Sequence, residues 1–261
     1  GLTVFDGSHE YGSFLWAVRL SEDFGADVIR QIWQRCASSQ ALDAISTVLA
    51  SRGTSFGEQF MRFVTGNYFL EQMYRRGADY RAYLVSRGVP GVNVEYRYEG
   101  AQGVPVVVDN SIVASGCWMD AFAADYVTVG TSPALPGYAV FFDGLDAGGT
   151  YGVRAVIQDA DRFETFVCPL DAGRDGPMQV PSSGFAAAVV IIANLSTTDV
   201  ANPAWKLTVG SVPDRPVNLV PANGGVTGRA PALTASGFSD ADGGVHSASR
   251  WQVIDGLNTV L

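Results

Sequence analysis

The sequence VNVEYRY at residues 92–98 alternates apolar and polar side chains without a break. Strict alternation is typical of a β-strand with one buried face. The residues before it instead repeat their apolar side chains at every third or fourth position, which is typical of helices. We therefore expect the chain to change from helix to strand at about residue 89.

Four helices are predicted within residues 1–88. Ser8 is the expected cap of the first helix and Gly25 its expected end, while Ser55 and Glu58 have the spacing of a capping box at the start of the fourth. The apolar faces comprise Tyr11, Phe14, Leu15 and Val18 in the first helix, Val28, Ile29, Ile32, Trp33 and Cys36 in the second, Leu42, Ile45, Val48 and Leu49 in the third, which Gly53 ends, and Phe56, Phe60, Phe63 and Val64 in the fourth. Short connections predict a compact bundle with these side chains in its core.

Short strands follow one another after residue 92, separated by Gly, Pro, Asp and Asn. The further strands are predicted at residues 104–108, 126–129, 138–142, 152–158, 165–167, 186–193 and 205–209. Several strands at this spacing favour an antiparallel β-sandwich over residues 89–211.

A proline-containing joint, VPDRP at residues 212–216, is typical of a linker between domains. Strands predicted at residues 217–220, 232–235 and 249–254 amount to about half of an immunoglobulin-like or fibronectin-type domain. The predicted fold is therefore an α+β multidomain chain: a helical bundle over residues 1–88, the β-sandwich over 89–211, and a partial immunoglobulin-like β domain over 212–261. We expect the partial domain either to continue in a longer polypeptide or to receive a strand from a neighbouring copy.

Composition excludes several classes of function. The 261 residues have a net charge of −9, so no basic surface is expected that would bind nucleic acid. No apolar run approaches 18 residues, so no membrane span is expected. His9 and His246 lie far apart, and Ser13 occupies the position where an HExxH zinc motif starting at His9 needs its second histidine. We therefore expect that this chain binds no catalytic zinc and hydrolyses no general protein substrate; an enzyme with an unrecognised carboxylate site is the least favoured alternative.

Three other groups of residues are candidates for binding or for a covalent bond. Asp240 and Asp242, within FSDADGG at residues 238–244, are a candidate calcium site at a domain boundary; the competing interpretation is a solvated turn, and Asp159 with Asp161 forms a similar pair. Cys36 is expected to be a small buried side chain, whereas Cys117 and Cys168 lie in strand-like sequence and are candidates for a disulfide in an oxidising compartment. The three tryptophans considered for a sugar-stacking platform are interpreted as core residues: Trp118, Trp205 and Trp251.

The helical region carries a resemblance to a known family. EYGSFLW at residues 10–16, LSEDFG at 20–25 and IRQIW at 29–33 resemble the region that follows the active site in secreted bacterial zinc metallopeptidases of the gluzincin type, in particular those of myxobacteria. The resemblance implies a helical subdomain with a phenylalanine-rich helix at 55–67, followed by a β-sandwich and repeat modules. It also implies an extracellular or cell-surface location. The HExxH helix and the downstream glutamate ligand would lie upstream of Gly1, so the resemblance assigns no zinc ligand to this chain.

Two functions are therefore expected. The first is a non-catalytic scaffold and attachment part of a secreted metallopeptidase-like exoprotein. The second is a structural subunit of an extracellular assembly or filament, joined through the incomplete C-terminal β domain. The expected partners are other domains of a longer polypeptide or neighbouring copies of the chain, and calcium is the only candidate cofactor.

Overall fold

Six helices precede the strands in the computed structural model, which describes residues 9–89, 96–98, 106–109, 119, 121–129, 137–145, 149–159, 162–181, 187–197, 204–211, 218–220 and 234–235. The helices are α1 His9–Phe24, α2 Asp27–Cys36, α3 Ala41–Ala50, α4 Phe56–Tyr68, α5 Leu70–Met73 and α6 Gly77–Ser86. Helix α1 ends as predicted, because Gly25 adopts a φ of 84° that favours glycine. At the start of α4 the Ser55 hydroxyl accepts a hydrogen bond from the Glu58 N–H (3.1 Å), which confirms the predicted cap.

Two helices lie beyond the four that the sequence predicts. Helix α5 has only four residues, and α6 buries only Gly77 and Leu84. Neither helix therefore has the repeating apolar face by which helices are recognised in a sequence. The segment that contains them packs against α1 and α4, where Phe14 contacts the Tyr80 ring and Arg19 binds the Met73 carbonyl.

Trp33 is the clearest error among the predicted core residues. Its side chain is 73% exposed, whereas Val28 on the same helix is fully buried. Trp33 lies five residues after Val28, which is about 140° around a helix of 3.6 residues per turn. The interior reaches Val28, Ile29 and Ile32 but does not extend around α2 to Trp33.

Eleven strands are described in three sheets. They are β1 Tyr96–Tyr98, β2 Val106–Asp109, β3 Ala124–Val129, β4 Gly137–Asp143, β5 Tyr151–Asp159, β6 Arg162–Val167, β7 Gly176–Pro181, β8 Ala187–Asn194, β9 Lys206–Ser211, β10 Asn218–Val220 and β11 Thr234–Ala235. The strand orders are β1-β3-β8-β5-β6, β2-β9-β4-β7 and β10-β11. Strand β7 was not predicted because Pro177 and Pro181 argue against a strand; it lies at a sheet edge, where proline is tolerated.

One strand pair departs from the predicted antiparallel arrangement. Strand β1 pairs with β3 in parallel, with Tyr96 opposite Val127, while the other described pairs are antiparallel. A parallel pair needs a crossover connection, and β2 in the other large sheet lies within that connection. The α+β character is as predicted.

The two large sheets contribute side chains to one hydrophobic core. Val153 and Ile157 on β5 belong to the same buried cluster as Phe142 on β4 and Leu207 on β9. Trp205, at the start of β9, is fully buried there, which confirms its interpretation as a core residue. The opposite face of the five-stranded sheet is covered by helices, since Phe60 and other residues of α4 share a second cluster with β5 and β8. The inner strands β5 and β8 of this sheet are thus buried on both faces.

A third cluster lies within the helices, where Leu20 and Val28 pack against Val48 and Leu49. The proposed division at residues 88/89 and 211/212 stays a prediction. Of the predicted third domain, only the pairing of β10 with β11 is described, and residues 249–254 lie outside the described part of the chain. No described helix is both long and apolar enough to cross a membrane.

Candidate functional site

The interface between α4 and the five-stranded sheet is stabilised by polar contacts as well as by apolar packing. The Tyr126 hydroxyl on β3 donates to the Val64 carbonyl of α4 (2.9 Å), and burial raises the pKa of this tyrosine far above its usual range. Arg154 on β5 donates to Glu58 on α4 (3.3 Å). Burial lowers the pKa of the Arg154 guanidinium, and the neighbouring Glu58 carboxylate opposes that effect. These groups hold the helices on the sheet.

Close approach of backbone is needed at the same interface. A Cβ atom added to Gly152 on β5 would lie 2.7 Å from the Met61 sulfur of α4 and 3.0 Å from a methyl group of Leu195. Glycine at this position therefore lets α4 lie directly against β5.

A second polar group joins α1 to the end of α5. Arg19 is almost fully buried and donates to the Met73 carbonyl (2.9 Å). The same guanidinium pairs with Asp23 (3.1 Å) and lies 5.7 Å from the centre of the Tyr74 ring. All of these contacts are made to other residues of the helical region. Arg19 therefore has a structural role.

A cleft of about 330 Å³ lies where α3, the start of α4 and the end of β8 meet. Phe56, Phe122 and Leu195 are among its apolar lining residues, and the hydroxyls come from Ser46, Thr54, Ser55 and Thr197. Its described lining includes no charged side chain, so it offers space for a small neutral group but no acid or base.

The outer face of the four-stranded sheet carries an apolar row that crosses all four strands. Val107, Thr208, Phe141 and Pro177 lie opposite one another in register, on the face away from the core. Val107 is 51% exposed and Phe141 is 45% exposed. We call these four residues the sheet patch. Apolar side chains in a row on a solvent face are typical of surfaces that contact another polypeptide.

Charged residues border the sheet patch on one side. Lys206 on β9, the single lysine of the chain, lies in register between Asp109 on β2 and Asp143 on β4. This row has one more negative than positive charge. It belongs to a strongly acidic part of the chain, since residues 89–211 contain 13 acidic and five basic side chains.

A different exposed surface lies on α2. Trp33 is accompanied on its face of the helix by Arg30 at i−3 and by the exposed Ala37 at i+4, which caps the helix end, and we call these three residues the helix patch. Arg30 pairs with Asp27 and lowers the pKa of that carboxyl. With two arginines and one aspartate, α2 has a net positive charge. Residues 1–88 as a whole contain nine acidic and nine basic side chains.

Neither patch was predicted from the sequence. The apolar pair Phe141-Phe142 and the run Val106-Val107-Val108 interrupt the apolar–polar alternation that a strand with one solvent-exposed face would have. That break is the signal of a strand that is apolar on both faces. The signal that Trp33 is exposed is its position about 140° around the helix from the buried Val28.

The candidate metal ligands are not brought together in the described structure. Asp240 and Asp242 lie outside the described residues, as do Asp161, His246, Trp118 and Trp251, while Asp159 is the last residue of β5. His9 is the first residue of α1. Within the described residues there is no group of three or more His, Cys, Asp or Glu side chains placed to hold a metal ion.

The described cysteines are free thiols. Cys36 is half-buried rather than buried as predicted, because it lies near the end of α2 at the margin of the interior. Cys168 is buried, and burial raises the pKa of its thiol to about 11. Its predicted disulfide partner, Cys117, lies outside the described residues.

Comparison with known proteins adds no family. A scan of the chain against protein-family models gave no match, and no curated protein sequence matches it. The features of this chain that bear on its function are therefore the two exposed patches and the polar contacts between α4 and the five-stranded sheet.

Proposed function

We propose that the chain is a non-catalytic scaffold and attachment part of a secreted bacterial exoprotein that resembles gluzincin-type metallopeptidases. The observation that carries this proposal is the sheet patch. A scaffold that ends at this face would expose Val107 and Phe141 to water, whereas a neighbouring domain placed against the face buries them.

The interior supports a scaffold as well. The polar side chains at the α4 interface, Tyr126 and the Arg154–Glu58 pair, bind other parts of the same chain. In this proposal the two large sheets form a β-sandwich, for which their shared hydrophobic cluster is the support. Residues 212–261 then begin an immunoglobulin-like repeat, and Asp240 with Asp242 is the calcium site proposed at that joint.

A second candidate is a structural subunit of an extracellular assembly or filament. The uneven distribution of charge favours it, because the acidic excess of the chain lies in residues 89–211 while α2 is positively charged. Opposite charges on different parts of one chain favour contact between copies.

Mass spectrometry of the native polypeptide separates the two candidates. An antibody raised against the chain would recover the polypeptide from the cells and from the culture medium, and its length and N-terminus would be measured. A longer polypeptide in the medium, with HExxH before Gly1, supports the exoprotein. A product that begins at Gly1, recovered in large extracellular assemblies, supports the structural subunit. Recovery only from inside the cells, in neither form, would contradict both.

A further inference from the structure

We infer that copies of this chain bind one another head to tail, with the helix patch of one copy seated on the sheet patch of the next. The inference rests on the second candidate function, the structural subunit. It adds the two surfaces that meet and the residues that carry the contact.

The helix patch has the composition of a binding anchor. Trp33 exposes nearly three quarters of its surface, and Arg30 lies one turn before it on the same face of a helix that carries a net positive charge. Tryptophan and arginine are the residues most enriched at positions that dominate binding energy, because they combine a large apolar area with directed hydrogen bonds.

The sheet patch offers the matching chemistry. Its apolar centre, Val107 and Phe141, is flat enough to receive an indole ring, because Thr208 between them is small. Asp109 and Asp143 lie two residues further along their strands on the same face, on either side of Lys206, so this row carries one net negative charge against the net positive charge of α2. The apolar parts and the charges are therefore complementary in the same arrangement.

The proposed partner is a second copy of the chain, because one chain carries both the helix patch and the sheet patch. Both patches are exposed in the isolated chain, one on α2 and the other on the outer face of the four-stranded sheet. Two different patches make a heterologous contact, which produces an open chain or a ring of copies instead of a closed two-fold dimer. Each patch is small, so the affinity of one contact is expected in the micromolar range, and salt is expected to weaken it.

Two variants test the inference together. Trp33→Gln removes the anchor of the helix patch, and Phe141→Thr removes the centre of the sheet patch with a residue that suits a strand. Sedimentation velocity of the full chain is measured from about 1 to 200 μM, the range expected for a small interface. Wild type is expected to form species larger than a dimer, and each variant alone is expected to associate at least about tenfold more weakly.

The mixture of the two variants gives the decisive result. Each variant keeps one intact patch, so an equal mixture is expected to form dimers of twice 27.7 kDa and nothing larger. Val85→Gln on α6 and Val167→Thr on β6 are matched controls, because these valines are 54% and 65% exposed outside both patches. Both controls are expected to associate like wild type.

Four results would overturn the inference: monomeric wild type throughout the range, wild type that stops at a dimer, variants that associate like wild type, or a mixture that stays monomeric. None of these results contradicts the proposed exoprotein. That proposal fails only through the identity of the native polypeptide, which mass spectrometry measures separately.

Discussion

Replacing Tyr126 with phenylalanine removes one hydroxyl from the interface between α4 and the five-stranded sheet. The lost contact is the 2.9 Å hydrogen bond to the Val64 carbonyl, made by a side chain that is 5% exposed. A hydrogen bond of this kind contributes about 1 kcal/mol, and a buried acceptor left without any partner costs about 1–3 kcal/mol. Val64 keeps its place in the α-helix, whose geometry provides that carbonyl with the N–H of Tyr68. We therefore expect a loss near 1 kcal/mol.

The assay is urea denaturation followed by two signals. Circular dichroism at 222 nm follows mainly the helices, and labelling of the buried Cys168 thiol, read by peptide mass spectrometry, follows the core between the two large sheets. If the helices and the sheets unfold as one unit, Tyr126→Phe lowers the free energy of unfolding by the same amount in both signals. Tyr74→Phe is the matched control, because the Tyr74 hydroxyl donates to Asn67 (3.1 Å) within the helices.

Two results would refute this reasoning. A change below about 0.3 kcal/mol would mean that the hydrogen bond does not fasten the helices to the sheet. Separate transitions in the two signals would mean that residues 1–88 unfold independently, in accordance with the domain division predicted from the sequence.

Three further predictions concern metal binding, thiol reactivity and pH. Millimolar calcium is expected to raise the melting temperature, and Asp240→Ala to abolish that increase, if the Asp240 loop binds calcium; an unchanged melting curve would leave a solvated turn. Iodoacetamide at pH 8 is expected to modify Cys36 before Cys168 in the folded protein, as read by peptide mass spectrometry, because Cys168 is buried and its thiol pKa is raised to about 11. Burial raises the pKa of Tyr151 to about 12 in the folded protein, against about 10 in an unfolded chain. The resulting stabilisation is complete below pH 10 and is lost as the pH rises towards 12, so Tyr151→Phe is expected to reduce the fall in unfolding free energy over that interval; an equal fall in both proteins would contradict this.

The order of helices and strands follows from patterns in the sequence because each pattern reflects one buried face. The stripe of Phe60, Phe63 and Val64 predicts α4, and all three side chains are buried. Strands β4, β5 and β8 lie within a few residues of their predicted bounds. In each case, local periodicity and burial agree.

The errors occur where tertiary position decides. Strand β7 contains two prolines, and only its place at a sheet edge makes it a strand. Trp33 looks like a core residue in its helix, yet the interior ends before reaching it. The sheet patch depends on which strands become neighbours. A strand order such as β2-β9-β4-β7 cannot be predicted from local sequence patterns.

Cross-linking at the single lysine tests the contact between copies most directly. Lys206 borders the sheet patch, and Asp27 opens α2 with its side chain half exposed. A zero-length carbodiimide joins an amine to a carboxylate only when the two groups touch, and mixing unlabelled with ¹⁵N-labelled chains identifies bonds between copies. We expect a Lys206–Asp27 bond between copies that disappears in Trp33→Gln and persists in Val85→Gln. Bonds from Lys206 that occur only within one chain, at concentrations where wild type associates, would contradict this expectation.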